Sequence, residues 1–223
     1  MRVSVLIQAE GKNIVIDAGP DFRQQMLRAG VCHLDAVILT HEHNDHMIGV
    51  DDIRPFNFKQ QEEIPVYADE RVQKDLQLRF GYVFSKKKYP GVPSLGLYTI
   101  SKNEPFEIKG LNFTPIEVMH GKLPILGFRI GDFTYITDAR TITSEEMAKI
   151  EGSKILILNA LHYFEHYSHL NVPQALDLIE KLKPEQAFLT HVSHHMGLAA
   201  EINKILPTNV KLAYDQQVVN INQ

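Results

Sequence analysis

Short stretches of alternating apolar and polar residues run through the chain, and segments with helical periodicity separate them. Residues 113–119 show the period of two that is typical of a strand, whereas Ala175, Leu176, Ile179 and Leu182 recur at helical spacing. Asn171 and Pro173 precede that apolar stripe and predict a helix start. The pattern predicts strands near residues 3–7, 14–17, 36–39, 66–68, 97–100, 106–108, 112–118, 126–130, 133–136, 155–158, 187–189, 211–213 and 218–221, and helices near 22–28, 70–80, 144–150 and 172–182.

Two successive sets of strands and helices predict an α/β protein, and we interpret residues 1–223 as one domain. A chain of 223 residues with 44% hydrophobic residues can bury a sizeable core. No apolar stretch has membrane-spanning length and the first residues lack a signal-peptide pattern, so we expect a cytoplasmic protein with no membrane partner. The formal net charge of -4 argues against broad electrostatic capture of nucleic acid.

One segment interrupts this pattern. Residues 85–93 are basic and rich in proline. They fit a lid or dimer contact that attracts an anionic substrate, and they fit a solvated linker equally well.

Four potential metal ligands lie within six residues directly after the apolar run 34–40. His41, His43, Asp45 and His46 form the pattern H-x-H-x-D-H. Imidazole and carboxylate suit zinc and its neighbours, and a strand that ends in a sharp turn lets residues two apart point into one cleft. The motif therefore predicts a site for two metal ions.

The pattern H-x-H-x-D-H resembles the signature of the metallo-β-lactamase superfamily, and this resemblance implies three further ligands, for which the chain offers candidates after predicted strands. His120, Asp138 and His191 come after residues 112–118, 133–136 and 187–189, respectively. Taken alone, each has an ordinary explanation, since a histidine after a strand is often a hydrogen-bonded loop residue and an aspartate there is often an N-cap. Their order and strand-end setting after the first motif favour metal binding.

Together these motifs resemble the metallo-β-lactamase superfamily. The resemblance implies an αβ/βα four-layer sandwich in which His41, His43 and His120 bind one ion, Asp45, His46 and His191 bind the second, and Asp138 bridges both. It implies hydrolysis by water held between two divalent cations, with zinc as the default and manganese or iron as alternatives. Position 43 is His rather than Glu, which disfavours the oxygen-reducing di-iron branch.

Residues 159–170 carry three more histidines, His162, His166 and His169. This segment resembles the PhnP-like phosphodiesterase branch, which is related to transfer-RNA 3′-processing endonucleases. By position in the motif, the resemblance assigns His169 as a general acid or a donor to the phosphoryl group, with His166 as the reserve candidate. His169 and the metal ligand Asp45 are the predicted catalytic residues.

Several neighbours of these motifs have predicted supporting roles. Asp17 is expected to accept the second N–H of a ligand imidazole, and Asp21 to cap the following helix. Arg54 or Asn57 is expected either to meet a phosphate oxygen or, equally, to serve structure, with Arg54 paired to Asp51 or Asp52.

The resemblance has one gap. Family members begin with a strand and a Gly-rich turn and often continue into a cysteine-rich zinc loop, whereas this chain opens at what looks like the second strand. We expect an exposed sheet edge, which a homodimer could cover. Cys32 is the single cysteine and is expected to be a buried small hydrophobe.

The predicted function is a dinuclear metal-dependent phosphodiesterase that acts on a small or cyclic phosphodiester. The alternatives are an RNA-processing nuclease and a thioester or lactone hydrolase of the same superfamily. Nucleic acid is the less favoured partner because the sequence contains no long basic arm rich in Gly and Pro. A non-enzymatic binding module is disfavoured because all seven metal ligands are present.

Overall fold

A computed structural model describes residues 1–87 and 89–221. The chain divides into two compact units, residues 1–101 and 102–223. Lys88, in the basic segment 85–93, lies outside the described residues. Among the residues described, no helix has the length and apolar character needed to cross a membrane.

The first unit contains a five-stranded mixed sheet in the order β1-β2-β3-β4-β5. β1 and β2 form an antiparallel hairpin, and the other neighbours are parallel. Val15, Val37 and Val66 on the inner strands are fully buried and pack with the helices. The strands are β1 Val5–Ala9, β2 Lys12–Ile16, β3 Ala36–Ile38, β4 Ile64–Ala68 and β5 Leu95–Thr99, and the helices are α1 Phe22–Arg28, α2 Asn44–Met47, α3 Arg54–Gln60, α4 Glu70–Arg79 and α5 Gly81–Phe84.

The second unit contains a seven-stranded mixed sheet in the order β12-β11-β10-β9-β8-β7-β6. Strands β6 to β9 form an antiparallel meander, and β9 to β12 are parallel. The strands are β6 Phe106–Ile108, β7 Leu111–His120, β8 Leu123–Ile130, β9 Phe133–Ile136, β10 Ile155–Asn159, β11 Gln186–Thr190 and β12 Val210–Leu212, and the helices are α6 Ser144–Ile150, α7 Val172–Leu182 and α8 Ala199–Ile205.

The start of α7 shows how side chains fix a boundary. Asn171 accepts from the Gln174 backbone N–H at 3.0 Å, and the Gln174 side chain accepts from the Asn171 N–H at 3.1 Å. This reciprocal capping box confirms the predicted helix start. It also fixes the end of the loop 160–171, which carries three histidines.

Three expectations were wrong. Residues 218–221 form no strand, and Val218 is exposed. Cys32 is exposed rather than buried. Asp21 stands at the N-cap of α1 but makes no side-chain cap, because its carboxylate accepts the Arg2 backbone N–H at 2.6 Å.

Candidate active site

In the first unit, the end of β3 and the short helix α2 carry four predicted ligands. His41 follows β3 and is fully buried, while Asp45 and His46 lie on α2 rather than in an open turn. The rings of His41 and His46 are 4.2 Å apart, and those of His41 and His43 are 4.6 Å apart. The structure therefore brings the four residues of the motif together.

The ligand nitrogens are spaced as a shared cation would require. Nε2 of His41 lies 3.1 Å from Nδ1 of His43. Two imidazole nitrogens at ~2 Å from one tetrahedral zinc ion would be about 3.3 Å apart. Oδ2 of Asp45 lies 3.7 Å from Nε2 of His46. The donor types and their spacing in this unit fit divalent metal ions.

The buried carboxylate of Asp17 orients two of these histidines. It accepts from Nδ1 of His46 at 2.8 Å, which confirms the predicted supporting role and fixes the orientation of this ring. It also accepts from the Thr40 hydroxyl at 2.9 Å, and that hydroxyl lies 2.9 Å from Nδ1 of His41. Because the Thr40 hydrogen is donated to Asp17, its oxygen accepts the His41 N–H. Sequence reasoning missed Thr40.

Close backbone contact fixes α2 beside the turn after β2. The Ala18 N–H donates to the His46 carbonyl at 2.8 Å, and the Gly49 N–H donates to the Ala18 carbonyl at 2.8 Å. A Cβ at Gly19 would lie 2.1 Å from the Asp45 carbonyl oxygen. The turn therefore requires glycine at position 19, because any side chain would push away the helix that carries Asp45 and His46.

Arg54 and Asn57 serve structure in this unit. Arg54 pairs with Asp51 at 2.6 Å. The Asn57 side chain donates to the Ser94 carbonyl at 2.8 Å and accepts from the Ser94 N–H at 3.1 Å. These contacts favour the structural interpretation of both residues over phosphate binding.

In the second unit, His120, Asp138 and His191 lie at the ends of β7, β9 and β11, as predicted. Oδ2 of Asp138 lies 3.9 Å from Nε2 of His120, and its Oδ1 lies 3.3 Å from Nε2 of His191. One carboxylate thus presents each of its oxygens to a different histidine. This arrangement suits a ligand shared between two ions.

Neighbouring groups hold these ligands in place. Nδ1 of His120 donates to the Ser168 carbonyl at 2.8 Å, which fixes the orientation of this ring. The buried Asn159 side chain exchanges two hydrogen bonds with the Ala139 backbone, at 2.7 and 3.0 Å, and so fixes the turn after Asp138. Neither Ser168 nor Asn159 was predicted, because both act through contacts between distant segments.

Asp17, Asp138 and His191 share an uncommon backbone conformation. Their φ angles are +67°, +57° and +54°, in the left-handed region that non-glycine residues seldom occupy. Each residue directly follows a strand or lies within two residues of its end. The positive φ turns the chain sharply where each strand ends.

His169 lies among the ligands of the second unit. Ligand atoms of Asp138, His169 and His191 all lie within 4.8 Å of one another. Burial lowers the pKa of His169 to about 4, and the charge of Asp138 opposes that shift. Nδ1 of His169 is buried and has no hydrogen-bond partner within the part of the chain that the structure describes. The ring therefore has a polar atom available to a substrate or metal.

The remaining histidines differ from His169. His162 is buried, and its Nδ1 contacts the backbone of Phe164. Burial lowers the pKa of His166, whose ring centroid lies 5.1 Å from that of His169. His194 and His195 are exposed. His166 is the one of these four that the structure shows beside His169.

Removing the Asp17 carboxylate tests its orienting role. Asp17→Asn is expected to weaken zinc binding about 10-fold to 100-fold, because His46 and Thr40 lose a carboxylate acceptor. Competition with a chromogenic chelator measures the affinity. Asp35→Asn changes another buried aspartate of the same unit, which accepts the Asn13 N–H, and should leave zinc affinity unchanged. Equal weakening in both variants would argue against a specific role for Asp17.

Comparison with known proteins adds to this geometry. Residues 12–192 match the family model described as a β-lactamase superfamily domain. A solved structure described as a new diphosphatase from the PhnP family has 34% sequence identity and a TM-score of 0.91, and the match covers 99% of this chain and 85% of that one.

Two curated relatives carry other names. A Porphyromonas gingivalis protein named octanoyltransferase is 43% identical over 216 residues, which are 96% of this chain and 44% of that protein. The chain therefore spans less than half the length of that relative. A Bradyrhizobium diazoefficiens ribonuclease Z is 45% identical over 49 residues, which are 21% of this chain and 16% of that protein.

Proposed function

Because the chain belongs to the β-lactamase superfamily and has the metallo-β-lactamase fold, we propose that it is a hydrolase that cleaves small phosphodiesters. The observation that carries this proposal is the similarity to a PhnP-family diphosphatase over 99% of the chain. At 34% identity, that likeness extends beyond the fold to the sequence. A diphosphatase acts on bonds between phosphorus and oxygen, which favours a phosphoryl centre over an acyl centre.

We propose that the chain holds two divalent ions. His41, His43 and His120 would hold the first, Asp45, His46 and His191 the second, and Asp138 both. Such ions, when bound, lower the pKa of water and stabilise the charge that develops on the phosphoryl group. Zinc is the default for this set of imidazoles and carboxylates, and manganese and iron are the alternatives.

The chain's own residues supply orientation and hydrogen bonds. Asp17, Thr40 and the Ser168 carbonyl fix the ligand rings through the contacts described above. His169 would donate its N–H to the leaving oxygen or to a phosphoryl oxygen, because its ring is buried beside Asp138 and His191. No protein nucleophile is needed in this scheme.

A second candidate substrate class is the diphosphates, which the comparison with a diphosphatase favours specifically. The other names carry less weight. The octanoyltransferase is more than twice as long as the aligned segment, so its name describes a longer protein. The ribonuclease similarity covers 21% of the chain.

Matched substrates test the proposal. Zinc- and manganese-reconstituted protein is expected to cleave a bis-aryl phosphate with a higher kcat/KM than the corresponding aryl monophosphate. A diester has one charge and two ester oxygens, so it needs no additional anion pocket. The same assay with a diphosphate diester, a thioester and a lactone ranks the alternatives. Activity confined to the thioester or lactone would refute the proposal, and faster cleavage of the diphosphate would establish the second candidate.

A further inference from the structure

The loop 160–171 exposes two aromatic side chains and buries three polar ones. Tyr167 is 83% exposed and Phe164 is 68% exposed, whereas His162, Ser168 and His169 are buried. Burying an aromatic ring is favourable, and burying a polar group is costly unless it is hydrogen-bonded. The arrangement therefore works against stability, which points to a function for the outer surface of the loop.

Backbone hydrogen bonds close the base of this loop. The Leu161 N–H donates to the Leu170 carbonyl at 2.9 Å, the Leu170 N–H donates to the Ala139 carbonyl at 2.7 Å, and the Val172 N–H donates to the His162 carbonyl at 2.9 Å. Because both ends of the loop are fixed, its exposed rings have a defined position.

Tyr167 lies against the turn that follows His120. A Cβ on Gly121 would be 3.6 Å from Cε2 of Tyr167, and the next residue, Ser168, accepts the His120 N–H. The Tyr167 and His166 ring centroids are 5.0 Å apart. The tyrosine is thus held beside a proposed metal ligand while most of its surface remains open.

Two basic side chains, Arg140 and Lys122, lie close in sequence to the proposed metal ligands and could pair with an anionic group of a substrate. The Arg140 guanidinium, two residues after Asp138, makes no hydrogen bond or ion pair with residues 1–87 or 89–221, and the Lys122 ammonium, next to Gly121, makes none either. The loop and Arg140 are near each other, because the Leu170 N–H donates to the carbonyl of Ala139, the residue before Arg140, at 2.7 Å. The Arg140 backbone N–H donates to the Met119 carbonyl at 2.7 Å, just before the turn at Gly121 that Tyr167 contacts. An open aromatic ring near an unpaired guanidinium suits a ligand with a planar group and a phosphate.

We propose that Tyr167 and Arg140 bind a nucleoside phosphate portion of the substrate, with the base stacked on Tyr167 and a phosphate paired with Arg140. The inference rests on the phosphoric-ester hydrolysis proposed above, and it narrows the substrate to a nucleotide derivative. Tyr167 would then determine specificity without taking part in bond cleavage.

Equilibrium binding tests the role of the tyrosine. Calorimetry on zinc-reconstituted protein should show AMP binding about 10-fold to 100-fold more tightly than ribose 5-phosphate, which lacks the base. Tyr167→Ala should abolish that preference, and Tyr167→Phe should retain it. Tyr214→Ala removes a comparably exposed tyrosine that follows β12 and should change nothing.

A second variant tests the arginine. Arg140→Gln should lower the affinity for AMP and the affinity for ribose 5-phosphate by the same factor, about 10-fold, because both carry a phosphate. It should leave the affinity for adenosine unchanged. The proposal would be overturned if the wild-type protein bound AMP and ribose 5-phosphate equally tightly. It would also be overturned if the Tyr167→Ala variant kept the preference for AMP. An oligoribonucleotide that binds more than about 10-fold tighter than AMP would indicate a strand-binding surface and would also overturn it.

These measurements are independent of turnover. If the protein prefers AMP but cleaves no phosphodiester or diphosphate, the proposed function is refuted while the inference of nucleotide binding stands. Cleavage of those esters with no AMP preference would refute the nucleotide inference alone.

Discussion

Asp138→Ala is expected to reduce turnover below detection and to lower the metal content of the purified protein. The Asp138 oxygens lie 3.3 Å from Nε2 of His191 and 3.9 Å from Nε2 of His120, so this one side chain faces both proposed ligand sets. Its loss would leave both ions with too few ligands. Elemental analysis and assays with a bis-aryl phosphate measure the two effects, with two ions per chain expected in the wild type.

Asp132→Ala provides the matched control. Asp132 is an aspartate of the same unit that pairs with Lys154 at 2.6 Å on the surface, where an ion pair contributes little to stability. This variant should keep full metal content and activity. Wild-type protein that holds no ion or one ion per chain after saturation would contradict the two-ion proposal.

His169→Ala is expected to lower kcat by about 10² to 10⁴ while metal content stays at the wild-type level. The His169 ring is buried beside Asp138 and His191, and its Nδ1 is buried without a hydrogen-bond partner in the described chain. The loss should be smaller for a nitrophenyl ester than for an alkyl ester, because nitrophenolate departs with little help from a proton donor. Rates and metal content are measured on the same preparations.

His166→Ala serves as the comparison because its ring lies 5.1 Å from that of His169 on the same loop. It should retain most of the wild-type rate. A drop in the metal content of His169→Ala would identify His169 as a ligand. A rate defect in His166→Ala alone would move the donor role to His166 and leave the proposed hydrolase function in place.

The sequence predicted where the proposed ligands lie, but it did not predict all of the residues that orient them by hydrogen bonds. His120, Asp138 and His191 could be placed at strand ends because an apolar run that stops at a polar residue is a local signal. Thr40 and Asn159 gave no such signal. Both act by hydrogen bonds to segments distant in sequence, which a periodic pattern does not contain.

The predicted strand at residues 218–221 is absent, because no strand that the structure describes pairs with these residues. Residues 218–221 combine apolar side chains in a strand-like way, yet within the described residues β12 at the sheet edge pairs with β11 alone. Helix α8 was missed for a related reason. None of its residues is fully buried, so its apolar stripe is weak. Local pattern thus misjudged these two segments, both of which lie on the surface.

Asp17, Asp138 and His191 have left-handed backbone conformations, so at these positions the side chain proposed for function lowers stability. In this conformation a Cβ costs about 1–2 kcal/mol, which glycine avoids. Selection for thermal resistance alone would therefore favour glycine at these positions and erase the chemistry. A programme to stabilise this protein should exclude them and draw its substitutions from the outer surfaces of the helices instead.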